Sequence, residues 1–346
     1  MHLPTTIFSG HHGANHCQGL AIDEKNGYIY FSFTTKLVKC RLDGTPIGSV
    51  DGLIGHLGCI DFNEQDGRVY GSLEFKNDRI GRGILKTLHL EDTVLTNAFY
   101  CAVFDADKID REGLDAARDG IMRVVYLPEV VADYEAEVLQ KTAPYPHKYA
   151  CSGIDGTAFG PAFGQTDGKQ FLHICYGIYG DTAREDNDYQ VILRFDAADW
   201  WHTLATPLTH HTVPQDGATS LDKYFVYTGN TTYGVQNLLY DKQTGDWLAA
   251  VYPGKKPQFP NYTMFVIDGH VAPEKATHNA YGETIKALRL KGGSYFPLGA
   301  TGMATTSTGC YYFSQEGHDE EKGQYTTVHL YQKNDAQDMP FLPVSE

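Results

Sequence analysis

A hairpin pattern that occurs twice, 40 residues apart, constrains this chain more than any other feature. The first copy runs from His16 to Phe33 and the second from His56 to Leu73. In this register His16 falls opposite His56, Gly27 opposite Gly67 and Tyr30 opposite Tyr70. Each copy reads as a short apolar strand, a turn carrying Asn-Gly or Asp-Gly, and a second strand rich in aromatics. Those dipeptides predict a tight primed turn, which needs positive φ. A lone hairpin of this size cannot bury both faces, so its repetition predicts sheets in a radial or stacked array.

The pattern continues along the chain. Residues 151–164 read as an inner strand of small residues, followed by a turn at Asp167-Gly168 and strands at Phe171–Tyr179 and Tyr189–Asp199. Phe99–Asp107 resembles Tyr189–Asp199, and both read as the third strand of a unit, each preceded by a polar insertion (76–98 and 180–188). A fourth unit is expected near Gly217, with strands at Tyr224–Thr228, Val235–Asp241 and Trp247–Tyr252. A fifth is expected from Ala300, ending with Thr326–Gln332. Residues 112–120 read as a polar loop or short helix. Residues 121–140 read as a strand followed by helical spacing, and 253–299 as two strands among loops.

This architecture resembles a β-propeller, a resemblance of fold alone, with no WD or kelch signature in the chain. The resemblance implies an all-β fold of one domain over residues 1–346, with loop insertions. Unit starts near 17, 57, 151, 217 and 300 count to five blades. The segments 112–150 and 253–299 leave room for a sixth or seventh. Leu3–Phe8 is β-like and is expected to complete the last blade, so that the ring closes and its edges disappear.

Composition excludes several functions. The formal charge of −15 repels phosphate backbones, so nucleic acid is not an expected partner. No Walker Lys-Ser/Thr, Rossmann fingerprint or nucleophile elbow is present, so no nucleotide cofactor is expected. No apolar run is long enough for a membrane span, and the N-terminus lacks a signal-peptide pattern, so the expected compartment is cytoplasmic. The seven cysteines form no CxxC pair and read as buried reduced thiols.

Histidine placement suggests where chemistry sits. Inner strands of a propeller begin around one mouth of its channel. His16 and His56 precede matching inner strands, and His147 and His211 precede later units. Imidazoles converging there suit a divalent Mn, Fe or Zn, because catalytic metal sites commonly use three protein ligands. Metal-centred propellers such as oligogalacturonate lyases and carotenoid oxygenases offer an architectural analogy. Metal-free acid/base use of His16 and His56 is the parallel expectation, because imidazole titrates near neutrality. Asn15 and Gln18 share the first histidine's loop as substrate or outer-shell partners.

Arg79 and Arg82, with Lys76 and Lys148, are candidate cations for a substrate carboxylate. Asp155, Asp61, Glu74 and Asp216 are carboxylates in strand contexts, and such groups need a partner or a task. Five-bladed glycosidases use paired carboxylates in this way. Tyr227 and Tyr233 are candidate stacking surfaces for sugar rings. The combined expectation is a lyase or hydrolase acting on a small, uronate-containing oligosaccharide at a His-lined channel mouth. The rival expectation is a non-catalytic propeller binding a glycan or protein through its rim.

Overall fold

The computed structural model describes residues 3–140, 143–210, 212–334 and 339–345. Among these residues five mainly antiparallel sheets of four or more strands stand in sequence order. Blade 1 holds Gly19–Asp23, Tyr28–Phe33, Lys36–Arg41 and Pro46–Asp51, and blade 2 holds His56–Asn63, Arg68–Phe75, Ala98–Asp105 and Met122–Tyr126. Blade 3 begins with Cys151–Gly160, Phe171–Ile178, Tyr189–Phe195 and Asp222–Tyr227. Blade 4 holds Thr232–Asp241, Asp246–Tyr252, Met264–Ile267 and Leu290–Ser294. Blade 5 is built from Met303–Thr305, Cys310–Asp319 and Gly323–Lys333.

The innermost strands contact one another in the cycle 1-2-3-4-5-1, so the protein is a closed five-bladed β-propeller. The N-terminal strand Thr6–His11 pairs with Gly323–Lys333 in the register Ile7↔Val328, and so closes blade 5 as expected.

Five apolar clusters fill the five interfaces between neighbouring blades. Between blades 1 and 2, for example, Tyr30, Leu37, Ile60 and Val69 are all buried. Each such side chain removed from water contributes about 1.5–3 kcal/mol. The aromatic-rich second strands recognised in the sequence lie against these interfaces. The paired residues Tyr30 and Tyr70 occupy equivalent places, almost completely buried.

Three sequence expectations need correction. The two repeated hairpins turn through four residues, 24–27 and 64–67, instead of a two-residue primed turn. Only the glycine of each Asn-Gly or Asp-Gly pair is left-handed, with φ +74 at Gly27 and +68 at Gly67.

The fourth unit does not begin near Gly217. Asp222–Tyr227 pairs with Tyr189–Phe195 in the register Gln190↔Val226, which makes it the fourth strand of blade 3. Blade 4 starts at Thr232. The small residues at 217–220 imitate an inner strand but lie in a connection, where the Ala218 amide donates to the Tyr126 carbonyl at 2.8 Å.

The segment 253–299 holds no further blade. Thr284–Ala287 extends blade 3 by parallel pairing with Asp222–Tyr227, and Leu290–Ser294 completes blade 4. Residues 121–140 give the expected strand, Met122–Tyr126, and a helix at Pro128–Glu135. No helix among the described residues is long and apolar enough to cross a membrane. All seven cysteines are free, and six are buried.

Candidate active site

One mouth of the channel is formed where the innermost strands begin and the second strands of the blades end. A cavity of about 410 Å³ opens there. From the beginnings of inner strands it receives His16, Gln18, His56, Asp155 and Gln236, and from the ends of second strands Thr34, Glu74, Lys76 and Tyr252. The insertion after Phe75 folds as helix α1 (Arg79–Thr87), capped by Asp78, whose carboxylate accepts from the amides of Ile80 and Gly81 at 3.0 and 2.9 Å. Ile80 and Ile84 on this helix form an apolar side of the cavity.

The deepest charged groups are a buried ion pair. Lys76 Nζ lies 2.5 Å from Glu74 Oε1 and 3.7 Å from Asp78 Oδ2, and it donates to the Ser152 carbonyl at 2.6 Å. The Lys76 and Glu74 side chains are 4% and 5% exposed, so the pair is almost fully desolvated. Burial opposes the Lys76 ammonium, but Glu74 and Asp78 outweigh it and raise its pKa. Burial raises the Glu74 carboxyl, against the pull of Lys76 and of the Ile154 amide, which donates to Oε2 at 3.0 Å.

Asp155 sits further along its inner strand, also buried. Its Oδ1 accepts from the Cys59 amide of blade 2 at 3.0 Å, and no cation pairs with it among the described residues. Desolvation drives its pKa well above the ordinary carboxyl value, and the nearby Glu74 charge adds to this. Both effects favour the neutral, proton-bearing form of Asp155. Its approach to blade 2 depends on Gly58, because a Cβ there would fall 2.2 Å from Asp155 Oδ1.

The two histidines found by sequence pairing share this cavity but differ in state. His16 Nδ1 bonds Glu316 on blade 5, and its Nε2 lies 3.1 Å from Gln18 Nε2. Burial acts to lower the His16 pKa, but the Glu316 carboxylate outweighs it and raises the value, favouring imidazolium. His56 is pushed down to about 3 by burial, with Lys76 and His16 adding to the shift, so it stays neutral. Its Nδ1 is buried without a hydrogen bond, 3.9 Å from Glu74 Oε1.

The other expected residues are distributed as follows. Asn15 and Gln18 line the cavity, with Gln18 donating to Thr34 Oγ1 at 3.1 Å. Tyr233 also lines it, in the left-handed region at φ +66, and its hydroxyl accepts from Arg79 at 3.2 Å. Arg82, on the same helix, is exposed and does not line the cavity. Tyr227 lies apart from the cavity, packed on Tyr189 and Phe259. His147 lies in a neighbouring cleft, and His211 falls outside the described residues. Among the described residues His16 and His56 meet in this cavity and His147 does not join them. Among the described residues no group of three or more His, Cys, Asp or Glu is arranged to hold a metal ion.

Asp61 belongs to the far end of the inner strand that His56 begins. Its carboxyl, raised to about 6 by burial, accepts from the amides of Phe62 and Phe159 at 2.8 and 2.7 Å and so ties blade 2 to blade 3. Sequence reasoning missed Glu316, Tyr252 and Gln236. The signal for Tyr252 was available: it ends the second strand of blade 4, as Lys76 lies just past the end of the second strand of blade 2.

No family profile matches the chain, and no curated protein is similar to it in sequence. Solved structures that align with it include a GH43 endo-arabinanase from Bacillus licheniformis, with 10% identity, TM-score 0.43 and coverage of 98% of this chain and 100% of that one. A GH43 β-1,3-galactosidase aligns with 11% identity, TM-score 0.43 and 97% coverage of both chains. The aldose sugar dehydrogenase of Escherichia coli gives 10% identity, TM-score 0.41 and coverage of 94% and 99%. Likenesses this distant support no inference about activity, and the propeller is established here by strand pairing.

Proposed function

We propose that this protein is an enzyme that cleaves a small carbohydrate by hydrolysis at the central cavity. The observation that carries this reading is the pairing, in one cavity, of two carboxyl groups in opposite environments. Asp155 is buried without a cation, whereas Glu74 is bonded to Lys76. Glycoside hydrolysis needs one carboxyl that can give a proton and a second group that supports positive charge or activates water. Asp155 gives its proton to the departing glycosidic oxygen. Glu74, fixed by Lys76 and the Ile154 amide, faces the developing oxocarbenium charge. The His16–Glu316 pair at the lip orients the water whose oxygen bonds the anomeric carbon as the glycosidic C–O bond breaks, and the Glu74 carboxylate takes up that water's proton. Gln18, Gln236 and Asn15 offer amide groups to sugar hydroxyls.

Hydrolysis is favoured over elimination from a uronate because the buried cation, Lys76, is already committed to Glu74. Convergence of these groups at one mouth favours an enzyme over a rim-binding scaffold.

The test is a screen of neutral and uronate oligosaccharides that reads both reducing-end release and the absorbance of unsaturated products. Hydrolysis without unsaturated product, reduced about 10²–10⁴-fold by Asp155→Asn, is the expected result. Unsaturated product would move the assignment to a lyase. Saccharide binding without turnover would leave the rim scaffold as the better description.

A further inference from the structure

Tyr233 is a wall between two cavities. On its far side lies a more open cleft of about 460 Å³, whose lining includes Tyr145, His147, Tyr179 and Lys255. We infer that this cleft receives the second and further rings of an oligosaccharide whose reacting ring occupies the central cavity. The inference rests on the carbohydrate reading above and deepens it by naming the substrate as a chain of sugars instead of a single one.

Three observations carry it. The first is continuity: Tyr233 lines both spaces, so a ligand leaving the central cavity on that side meets this cleft next. The second is chemistry. Tyr145 and Tyr179 offer ring surfaces, and pyranose rings present flat C–H faces that pack on aromatic faces. The exposed Lys255, which has no ion-pair partner among the described residues, offers a donor to hydroxyl or carboxylate oxygens.

The third is rigidity. His147 is packed between Tyr134 and Tyr179 in tilted ring contacts, with ring centroids 4.4 and 5.1 Å away. The buried Arg184 forks onto Asp186 at 2.8 Å. It also donates to the carbonyls of Pro146 and His147 at 2.7 and 2.6 Å, with its guanidinium 5.1 Å from the Tyr145 ring. His147 and Tyr233 both hold left-handed backbone, at φ +69 and +66. Non-glycine residues keep that conformation where their surroundings enforce it, commonly at ligand sites. A cleft held in this way loses little freedom on binding a second ring.

The experiment is calorimetric titration of the Asp155→Asn protein, which serves as a non-turning host, with neutral and uronate oligosaccharides of one to six rings. Affinity is expected to rise about tenfold between one ring and three, as aromatic packing of an added ring would give. Tyr145→Ala should collapse that rise to about onefold, and Tyr145→Phe should restore it. A flat length profile, or a rise that Tyr145→Ala leaves intact, overturns the inference while leaving the carbohydrate reading in place. Absence of binding and turnover across the whole panel overturns both.

Discussion

Removing the Lys76 ammonium isolates the electrostatics of the cavity floor. Lys76→Met keeps the bulk of the side chain but leaves Glu74 buried with the Ile154 amide as its remaining donor. Stranding one partner of a buried pair costs about 3–5 kcal/mol. Protonation of Glu74 limits that cost. A carboxyl with the ordinary value of 4.5 takes up a proton at pH 7 for about 3.4 kcal/mol, and at pH 5 for about 0.7 kcal/mol.

Lys76→Met should therefore destabilise the fold by about 3–4 kcal/mol at pH 7 and by about 1 kcal/mol at pH 5. The sign follows from linkage. A carboxyl whose folded-state pKa is raised contributes stability below its unfolded pKa and loses it as pH rises through the folded value. The assay is urea unfolding followed by tryptophan fluorescence at both pH values, on wild type, Lys76→Met, Glu74→Gln and the double variant. The double variant should recover most of the loss, because a buried ion pair replaced by neutral residues of similar volume is often nearly neutral. A loss below about 1 kcal/mol at pH 7, equal losses at the two pH values, or a double variant no better than Lys76→Met would refute this account of the floor.

Other perturbations test the remaining elements. Asp155→Asn should stabilise the fold at pH 8 relative to wild type, and the gain should shrink toward pH 5. The raised pKa of Asp155 contributes stability below its unfolded value and loses it above, as parallel thermal melts would reveal. Gly58→Ala places a methyl 2.2 Å from Asp155 Oδ1 and 2.6 Å from Ser72 Oγ; it should cost about 1–3 kcal/mol in urea unfolding and abolish turnover. Glu316→Gln should lower the His16 pKa in an NMR titration and move the alkaline limb of activity to lower pH. The pair's stabilising effect, present below 6.5 and lost through the raised folded value, should stay within about 1 kcal/mol, since both partners are well exposed. Elemental analysis beside His16→Ala/His56→Ala should find no stoichiometric metal, since no three His, Cys, Asp or Glu among the described residues are arranged to hold an ion.

Local patterns made much of the architecture legible before any coordinates. The paired hairpins, the turn glycines and the closing N-terminal segment all occupy the places their sequences implied. The starts of blades 3 and 5 were legible because small residues mark strands that crowd the axis. The same signal misled at 217–220, where small residues serve a connection. Sequence composition does not distinguish an axial strand from a tight loop, and only the register Gln190↔Val226 assigns Asp222–Tyr227 to blade 3.

The site divides along the same line. Repeat alignment by itself picked out His16 and His56, strand context picked out Asp155 and Glu74, and Lys76 entered as a candidate cation for a substrate carboxylate. The chain therefore determined the fold class, the ring closure and part of the residue set at the mouth. Tertiary structure alone decided which of them interact. It set Glu316 from blade 5 against His16, although they lie 300 residues apart in sequence. It also joined Lys76 to Glu74 in a desolvated pair, left Asp155 beside them without a cation, and sent His147 into the cleft beyond Tyr233. Protonation states depend on burial and on neighbours from other blades, and both exist only after the ring has closed.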